Sequence, residues 1–352
     1  QSAYYSQKTA TQTNLGYKTV PNGYVTYRHM SDDDIFHFNI NRQNKTILVS
    51  AEYPVFDTDD QTNTYFLITY LNSMARFRYF CRGQKMGGTR TRLYFNVLGD
   101  FKLAFPSISE QQKIAEILAG QDRVIALKEK LLAEKQKQKK YLMQQLLTGK
   151  KRLPGFSGEW NLVPLRNLLR ERKTYSVKGK EYPHVTLSNE GIYPKTERYD
   201  REHLVKSENK EYKITYYGDI CYNPANLKFG AICINNYGDA IFSPIYVTFE
   251  VCENANLNFL GALMMSTDFI NAVRKYEEGT VYERMAVKSE DLLLYKVKLP
   301  ALTEQTAIEE ILCTADKEKK KKKKDIEQEK LKKKSLMQLL LTGIVRVDEL
   351  VS

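Results

Sequence analysis

The sequence lacks the features that would direct it into a membrane or an oxidising compartment. No apolar run approaches the roughly 20 residues of a membrane-spanning helix, and residues 1–10 lack the charged-then-apolar form of a signal peptide. The five cysteines form no C-x-x-C pair, and an odd number without metal-ligand spacing is typical of reduced thiols. These absences predict a cytoplasmic protein.

Motifs for metal binding, cofactor binding and nucleotide hydrolysis are also absent. The four histidines form no H-x-x-x-H pair, and neither G-x-x-x-x-G-K-[ST] nor a glycine-rich cofactor loop occurs. Residues 222–225 read YNPA, whereas an amino-methyltransferase needs an aromatic residue after Asn-Pro-Pro to hold a flipped base. A tight turn at Asn223-Pro224 is the simpler interpretation. We therefore expect no catalytic residue, no metal and no cofactor in this chain.

The charge is positive but unevenly spread. The formal net charge is +12 with a pI near 9.2, which favours a polyanionic partner such as nucleic acid. Residues 154–298, however, carry 19 basic and 19 acidic side chains. Binding to nucleic acid would then depend on selected cations on a shaped surface, with bulk attraction secondary.

The clearest feature present is a long internal repeat. Residues 105–149 align without gaps to residues 299–343, and 19 of the 45 positions are identical. Both copies end in nearly the same eight residues, LMQQLLTG and LMQLLLTG. A spacing of 194 residues is too long for a solenoid unit and indicates a tandem duplication of a whole domain with its connecting helix.

Each copy has the start and stop signals of one helix. Ser109 and Thr303 are the predicted N-caps, and Gln112 could complete a capping box in the first copy. Gly149 and Gly343 are the predicted C-caps. About 40 proline-free residues correspond to a helix of roughly 60 Å, which is typical of a coiled coil.

A seven-residue apolar pattern predicts that the two helices pair. Leu118, Ile125, Leu132 and Leu146 occupy one position of a seven-residue repeat. Ile117, Val124 and Leu131 occupy the position directly before it. In the second copy the middle is a lysine run from Lys317 to Lys324, which is either a solvated helix face or a contact with DNA phosphate or an acidic partner. The residues expected to hold the helix pair and dock partners are Leu118, Ile125, Leu132, Leu146, Ile311, Leu312, Ile326 and Leu340.

The blocks in front of the helices are duplicated more faintly. GYVTY at residue 23 corresponds to GDICY at 218, SAEYPVF at 50 to SPIYVTF at 243, and Gly88-Thr89 to Gly279-Thr280. Short runs rich in Tyr, Ile and Val predict strands, and residues 66–80 and 257–276 predict helices covering a sheet. The expected fold is α+β, with α/β-type globular blocks and long antiparallel coiled-coil helices. Tandem duplication would give it the form of a pseudo-two-fold dumbbell.

These motifs together resemble the specificity subunit of a Type I restriction–modification system. The resemblance is carried by FPSISEQQKIAEIL, LPALTEQTAIEEIL, the two helix ends and the linker RLPGFSGEW at 152–160. It implies a non-catalytic subunit in the prokaryotic cytoplasm that recognises a split double-stranded DNA target. It also implies two methyltransferase subunits and restriction/translocase subunits as partners. S-adenosylmethionine, ATP and Mg are expected on those partners.

The resemblance also implies domain boundaries. The first recognition domain lacks some 35 residues relative to the second, so its predicted site is incomplete. The expected segments are a first recognition domain (1–104), a first helical region (105–149), a linker (150–159), a second recognition domain (160–298), a second helical region (299–343) and a tail (344–352).

Candidate DNA contacts are basic, amide and tyrosine side chains on divergent loops near glycine. Arg and Lys can bond guanine, Asn can bond adenine, and other cations can bind phosphate. The alternative for any one of them is a solvated loop charge. The candidates are Arg28, His29, Arg82, Lys85, Arg90 and Arg92 in the first block, and Asn226, Lys228, Tyr282 and Arg284 in the second.

Two other functions remain open at this point. A fused methyltransferase–specificity enzyme would need the cofactor loop and catalytic motif that are missing. A coiled-coil adaptor that does not recognise DNA would keep the helices, and selection from random DNA would separate it from a specificity subunit.

Overall fold

The computed structural model describes residues 16–177, 181–188, 191–195, 211–278 and 285–347. It divides into two compact units, the first formed by residues 1–130 and 323–352 and the second by residues 131–322. Each unit therefore combines one duplicated block with a part of each long helix. No helix among the described residues is both long enough and apolar enough to cross a membrane.

The first unit contains short antiparallel strands and two adjacent helices. Strand β1 (Tyr17–Val20) pairs with β5 (Ile47–Ser50), and β2 (Val25–Thr26) lies between β4 (Asn39–Ile40) and β6 (Val55–Phe56). The remaining elements of the block are β3 (Met30–Ser31), α1 (Thr64–Ser73), α2 (Ala75–Gly83), β7 (Thr91–Arg92) and α3 (Phe95–Gly99).

An aromatic core holds this block together. Tyr27 and Phe38 are buried and stacked with ring centroids 4.5 Å apart, and Phe77 packs edge-on against Phe38. Burying each large apolar side chain stabilises the block by about 2 kcal/mol. The helical structure predicted over residues 66–80 is present, but Met74 has an extended backbone that divides it into α1 and α2.

The second unit contains the larger sheet. Strand β14 (Ile220–Tyr222) lies between β15 (Ile232–Ile234) and β17 (Val247–Val251), and β17 also pairs with β9 (Leu169–Glu171). The remaining elements are β8 (Asn161–Pro164), β10 (Tyr175–Val177), β11 (Val185–Ser188), β12 (Gly191–Pro194), β13 (Glu211–Thr215), β16 (Ala240–Phe242), α5 (Leu257–Met264), α6 (Thr267–Val273), α7 (Ser289–Leu294), β18 (Lys296–Leu299) and three-residue to six-residue 3-10 turns at Leu165–Asn167, Pro224–Phe229 and Arg274–Tyr276.

The central strand of this sheet is apolar on both faces. All three residues of β14 are fully buried, and helix α5 covers the sheet through Phe259 and Leu260, which are also fully buried. The helical structure predicted over residues 257–276 is present, but it is divided, because Ser266 starts a new helix by accepting a hydrogen bond from the Phe269 N–H at 3.2 Å.

The duplication extends to individual hydrogen bonds of the two blocks. The Tyr27 hydroxyl donates to the Leu93 carbonyl at 3.0 Å, and the Tyr222 hydroxyl donates to the Val287 carbonyl at 3.0 Å. Both tyrosines are the fifth residue of the aligned segments GYVTY and GDICY. The faint resemblance between the blocks is therefore a shared set of buried contacts, as the sequence predicted.

Two long helices, α4 (Ile108–Leu146) and α8 (Leu302–Leu341), run antiparallel in each unit. In the first unit the Gln121 side chain donates to the Glu329 carboxylate at 2.7 Å. In the second unit Lys139 donates to Asp316 at 2.6 Å. The partner of a later residue in α4 is thus an earlier residue in α8, which confirms the predicted antiparallel helices.

The contact between the helices follows a 4-3 spacing. Buried and half-buried positions recur in both helices at the same places, shifted by 194, as in a heptad seam. The prediction that Val124 and Leu131 belong to the second heptad position of the seam is wrong, because both residues are exposed. That position is instead occupied by Gln121 and Lys128, which lie three residues after Leu118 and Ile125. Seam positions are 114, 118, 121, 125, 128, 132, 135, 139, 142 and 146 in α4, and 308, 312, 315, 319, 322, 326, 329, 333, 336 and 340 in α8.

The N-terminal ends of the two long helices differ from the prediction, whereas the C-terminal ends agree with it. Ser107 caps α4 by accepting a hydrogen bond from the Glu110 N–H at 3.3 Å. Because α4 begins at Ile108 and α8 begins at Leu302, Ser109 and Thr303 both lie inside their helices, and the predicted caps at these residues are wrong. The earlier start turns Gln111 inward, where its Oε1 accepts the N–H of Asn63 at 2.8 Å. The glycine C-caps are confirmed, with Gly149 at φ +69° and Gly343 at φ +71°.

Candidate nucleic-acid interface

The first unit brings the two predicted DNA-binding segments of its block together. Strand β3 pairs with β7, so that Met30 lies opposite Arg92. The Leu93 N–H donates to the carbonyl of His29 at 2.8 Å. Residues near 28 and near 92 therefore form one surface although more than 60 positions separate them in the chain.

Two of the predicted arginines are engaged on this surface. Arg90 Nε donates to Asp32 at 2.8 Å, and Arg82 Nε lies 3.5 Å from Asp34. A hydrogen bond from Thr91, opposed by partial burial and helped by the charges of Lys85 and Arg82, lowers the pKa of Asp34. These pairs fix the turn after β3 against the segment that leads into β7.

Two other predicted arginines are available to a ligand. Arg28 and Arg92 are exposed, and neither makes an ion pair with any residue that the structure describes. Their guanidinium groups can donate two parallel hydrogen bonds, to a phosphate or to guanine O6 and N7. Lys85, on the loop between α2 and β7, is likewise exposed.

The His29 side chain belongs to a cleft that the sequence did not predict. Its Nδ1–H donates to the main-chain oxygen of Glu52 at 2.5 Å, and its ring stacks on Tyr94 with centroids 5.3 Å apart. The cleft has a volume of about 460 Å³. It is lined by Lys18, His29, Ala51, Glu52, Pro54, Val55, Tyr94, Phe95 and Asn96.

In the second unit the corresponding segment is a tight turn, as predicted. Asn223 begins the 3-10 turn Pro224–Phe229, and its side chain accepts the Ala225 N–H at 3.1 Å. The turn ends at Gly230 with φ +82°. Of the two DNA contacts predicted in this turn, Asn226 and Lys228, Asn226 is half-buried inside the turn.

Lys228 is the exposed cation of this turn. Its Nζ lies 5.2 Å from the ring centroid of Phe229, which is itself 65% exposed. A cation beside an exposed aromatic ring is a surface that can bind phosphate and stack with a base. Tyr282 and Arg284 lie outside the described residues. The Val287 N–H donates to the Pro224 carbonyl at 3.2 Å, which joins the far side of that segment to the turn.

The residues predicted for helix pairing are mostly buried. Leu132 and Ile311 are half-buried, whereas the remainder are at most 9% exposed; these are Leu118, Ile125, Leu146, Leu312, Ile326 and Leu340. Buried side chains hold the helices within each unit and are not accessible to another protein. Docking of a partner would have to use exposed residues of the same helices.

The thiols are placed as core residues. Cys81, Cys221 and Cys233 are buried, and burial raises the pKa of Cys81 and Cys233 to about 12. A protonated thiol is a poor nucleophile and a poor metal ligand. Among the described residues, no group of three or more His, Cys, Asp or Glu side chains could hold a metal ion.

Comparison with known proteins gives a consistent result. Residues 11–137 match the family described as the Type I restriction modification DNA specificity domain. The putative type I restriction enzyme MjaX specificity subunit of Methanocaldococcus jannaschii is 26% identical over 314 residues, covering 80% of this chain and 68% of the relative. The MjaVIII specificity subunit of the same organism is 27% identical over 303 residues, covering 77% and 68%.

Solved structures share the fold. A chain from a structure of complex assembly and conformational transition in a type I R-M system has a TM-score of 0.58 at 15% identity, over 94% of this chain and 84% of that one. The Type-I restriction-modification S subunit from M. genitalium has a TM-score of 0.51 at 12% identity, over 95% and 86%. The HsdS subunit from Thermoanaerobacter tengcongensis has a TM-score of 0.50 at 16% identity, over 95% and 84%.

Proposed function

The chain belongs to the specificity subunits of Type I restriction–modification systems, and from this membership we propose that it recognises a split sequence in double-stranded DNA and holds the subunits that modify it. One observation carries the proposal. The two blocks share buried contacts, such as the Tyr27–Leu93 and Tyr222–Val287 hydrogen bonds, while the exposed residues around those contacts differ. Two recognition surfaces on a common frame suit a target of two unrelated half-sites.

The surface residues supply two kinds of contact. In the first unit, Arg28 and Arg92 can bind phosphate or guanine; in the second, Lys228 and Phe229 can bind the backbone and stack with a base. Their neighbours are held by ion pairs and tight turns, so the contact groups project from a rigid base. Rigid placement favours discrimination between base pairs over non-specific attraction.

The partners proposed for the helices follow from their duplication. Two matched helices give two equivalent positions, which suits a pair of methyltransferase subunits, with restriction/translocase subunits joining the same complex. S-adenosylmethionine, ATP and Mg would then bind to those subunits, because this chain has no motif for any of them.

Selection from random duplex DNA tests the proposal. The chain, with its methyltransferase subunits, should enrich two short boxes separated by a gap of fixed length. Enrichment of one box alone would contradict recognition by two units. Retention of DNA without enrichment of any sequence would instead indicate a coiled-coil adaptor with non-specific charge attraction, whose binding falls steeply with salt.

A further inference from the structure

The surface of the first unit carries four neighbouring carboxylates, and three are satisfied by nearby donors. The fourth belongs to Glu52, at the rim of the His29 cleft. The three satisfied contacts are Arg90 Nε to Asp32 Oδ1 at 2.8 Å, Ser31 Oγ to Asp33 Oδ1 at 2.7 Å, and Arg82 Nε to Asp34 Oδ2 at 3.5 Å. Each of these three carboxylates is thereby committed to holding the turn after β3.

Glu52 is held at a fixed place but keeps spare acceptor capacity. His29 anchors its backbone through the Nδ1 hydrogen bond, and His29 Nε2 lies 3.4 Å from the carboxylate oxygen Oε2. The Glu52 side chain remains 49% exposed, against 13% for His29. No other hydrogen bond to this carboxylate occurs among the described residues. An ionised carboxylate has about four lone-pair sites, so most of them are free.

The cleft beside Glu52 has room for the major-groove edge of a base. Its volume of about 460 Å³ lies within the range of small-molecule sites, roughly 300–1,000 Å³. The rings of Tyr94 and Phe95 are 51% and 52% exposed, and Tyr94 is backed by the stacked His29 ring. Exposed aromatic faces next to hydrogen-bonding groups are the usual components of a base-binding surface.

The sign of the charge indicates what Glu52 can bind. A free carboxylate repels phosphate, yet Glu52 lies beside the surface that carries the exposed cations Arg28 and Arg92. On a DNA-binding surface a carboxylate finds a favourable partner only in an exocyclic amino group, which adenine and cytosine present in the major groove. We propose that Glu52 is a base-specifying residue, whose carboxylate accepts a hydrogen bond from the amino group of an adenine or a cytosine at this cleft. This inference rests on the proposed function and names one contact within it.

The second unit supports a role in specificity. In the alignment of the blocks, Glu52 corresponds to Ile245 and His29 to Pro224. The equivalent hydrogen bonds from the Leu93 N–H to the His29 carbonyl and from the Val287 N–H to the Pro224 carbonyl place Tyr94 at the position of Lys288. Ile245 is 60% exposed, and Lys288 is paired with Glu278 at 2.7 Å. Three of the nine residues that line the cleft therefore have a different residue type at the corresponding position of the second unit. Positions that vary together on a constant frame are expected where the two units must recognise different bases.

The test uses the full chain with its methyltransferase subunits, in wild-type and Glu52→Ala forms. Random-sequence selection should give the same two boxes for both proteins, except at one position of the box recognised by the first unit. That position should be adenine or cytosine for the wild type and relaxed for Glu52→Ala. Removing the amino group there, with purine in place of adenine or pyrimidin-2-one in place of cytosine, should weaken wild-type binding by about 10-fold. The same removal should not affect Glu52→Ala, and it identifies which of the two bases is bound.

Glu253→Ala is the matched control, because Glu253 is an exposed carboxylate of the second unit that makes no ion pair among the described residues. It should leave both boxes unchanged. Glu52→Gln keeps the size of the side chain and one oxygen acceptor, so this protein should retain part of the base preference that Glu52→Ala loses. Retention of that preference shows that the loss in Glu52→Ala is not a folding defect. An unaltered selected sequence with Glu52→Ala would overturn the inference, as would a uniform loss of affinity without a change of base preference. Neither result contradicts the proposed function. The proposed function fails only if the wild-type chain enriches no split sequence.

Discussion

Arg152 donates two parallel hydrogen bonds to Glu304, from Nε to Oε1 and from Nη2 to Oε2, each at 2.7 Å. Arg346 forms the same pair with Glu110 in the first unit. Both arginines lie three residues after the glycine that follows a long helix, Gly149 or Gly343, and both glutamates lie in the first turn of the other helix. The pair therefore belongs to the duplicated unit and joins the end of one long helix to the start of the other.

Breaking the Arg152–Glu304 pair should destabilise the second unit. The Glu304 side chain is 2% exposed, so Arg152→Ala leaves a buried carboxylate without its charge partner. The expected cost is about 3 kcal/mol. The midpoint of urea unfolding, followed through Trp160, measures it well, since this is the only tryptophan and its Nε1 donates to Glu304 at 3.2 Å.

Arg346→Ala is the matched control for that measurement. Its side chain is 60% exposed, so water can replace it more easily, and the loss should be smaller, about 1 kcal/mol. Arg346 belongs to the first unit and Trp160 to the second, so the loss with Arg346→Ala is measured by circular dichroism at 222 nm during urea unfolding. Equal losses of unfolding free energy in the two variants would contradict the difference in arginine burial as the cause.

The heptad seam makes a second prediction. Leu118 is fully buried in the first unit, whereas Leu127 on the same helix is 60% exposed. Leu118→Ala should lower the free energy of unfolding by about 2–5 kcal/mol, and Leu127→Ala should change it by less than about 0.5 kcal/mol. Circular dichroism at 222 nm during urea unfolding would show both. A large loss with Leu127→Ala would mean that an exposed helix face is covered in solution.

The polar centre of the seam makes a prediction about pH. Hydrogen bonds from Lys128 and Gln121 lower the pKa of Glu329 below its usual value of 4.5. Because the pKa is lower in the folded than in the unfolded chain, the stabilisation is present above about pH 4.5 and is lost as pH falls through the folded value. Glu329→Gln should therefore differ most from wild type near neutral pH and converge with it in acid. A constant difference between pH 3 and 7 would rule out this titration as the cause.

The sequence predicted the parts of the fold that depend on local chemistry or on repetition. Gly149 and Gly343 end their helices because a residue with positive φ is needed there, and that requirement is visible in sequence. The seam was only half predicted, since Gln121 and Lys128 occupy seam positions that an apolar pattern does not reveal. The N-cap was misplaced because serines at 107 and 109 both precede the acidic first turn.

The candidate site shows the same limit. Arg28 and Arg92 could be suggested from residue type, whereas Glu52 could not, since a carboxylate does not suggest a DNA contact. Its position depends on a contact with His29 across 23 residues, which only the folded chain creates. The aromatic pair Tyr94-Phe95 follows Arg92 directly in sequence. These two rings can contact a base only because they are exposed, and their residue types alone would predict burial.

The final prediction concerns the independence of the two recognition units. Strand β8 pairs with β18, with Asn161 opposite Leu299, so the two ends of residues 160–298 are adjacent in the folded second unit. A block whose ends lie side by side can be replaced without changing the path of the chain on either side. Exchanging residues 160–298 for the corresponding block of a relative should therefore change one half of the DNA target only. Sequencing of methylated sites in cells that carry the hybrid would show the new half-site beside the old one. The Glu52-dependent position should stay with the unchanged half, and a hybrid in which both halves change together would exclude separate recognition by the two units.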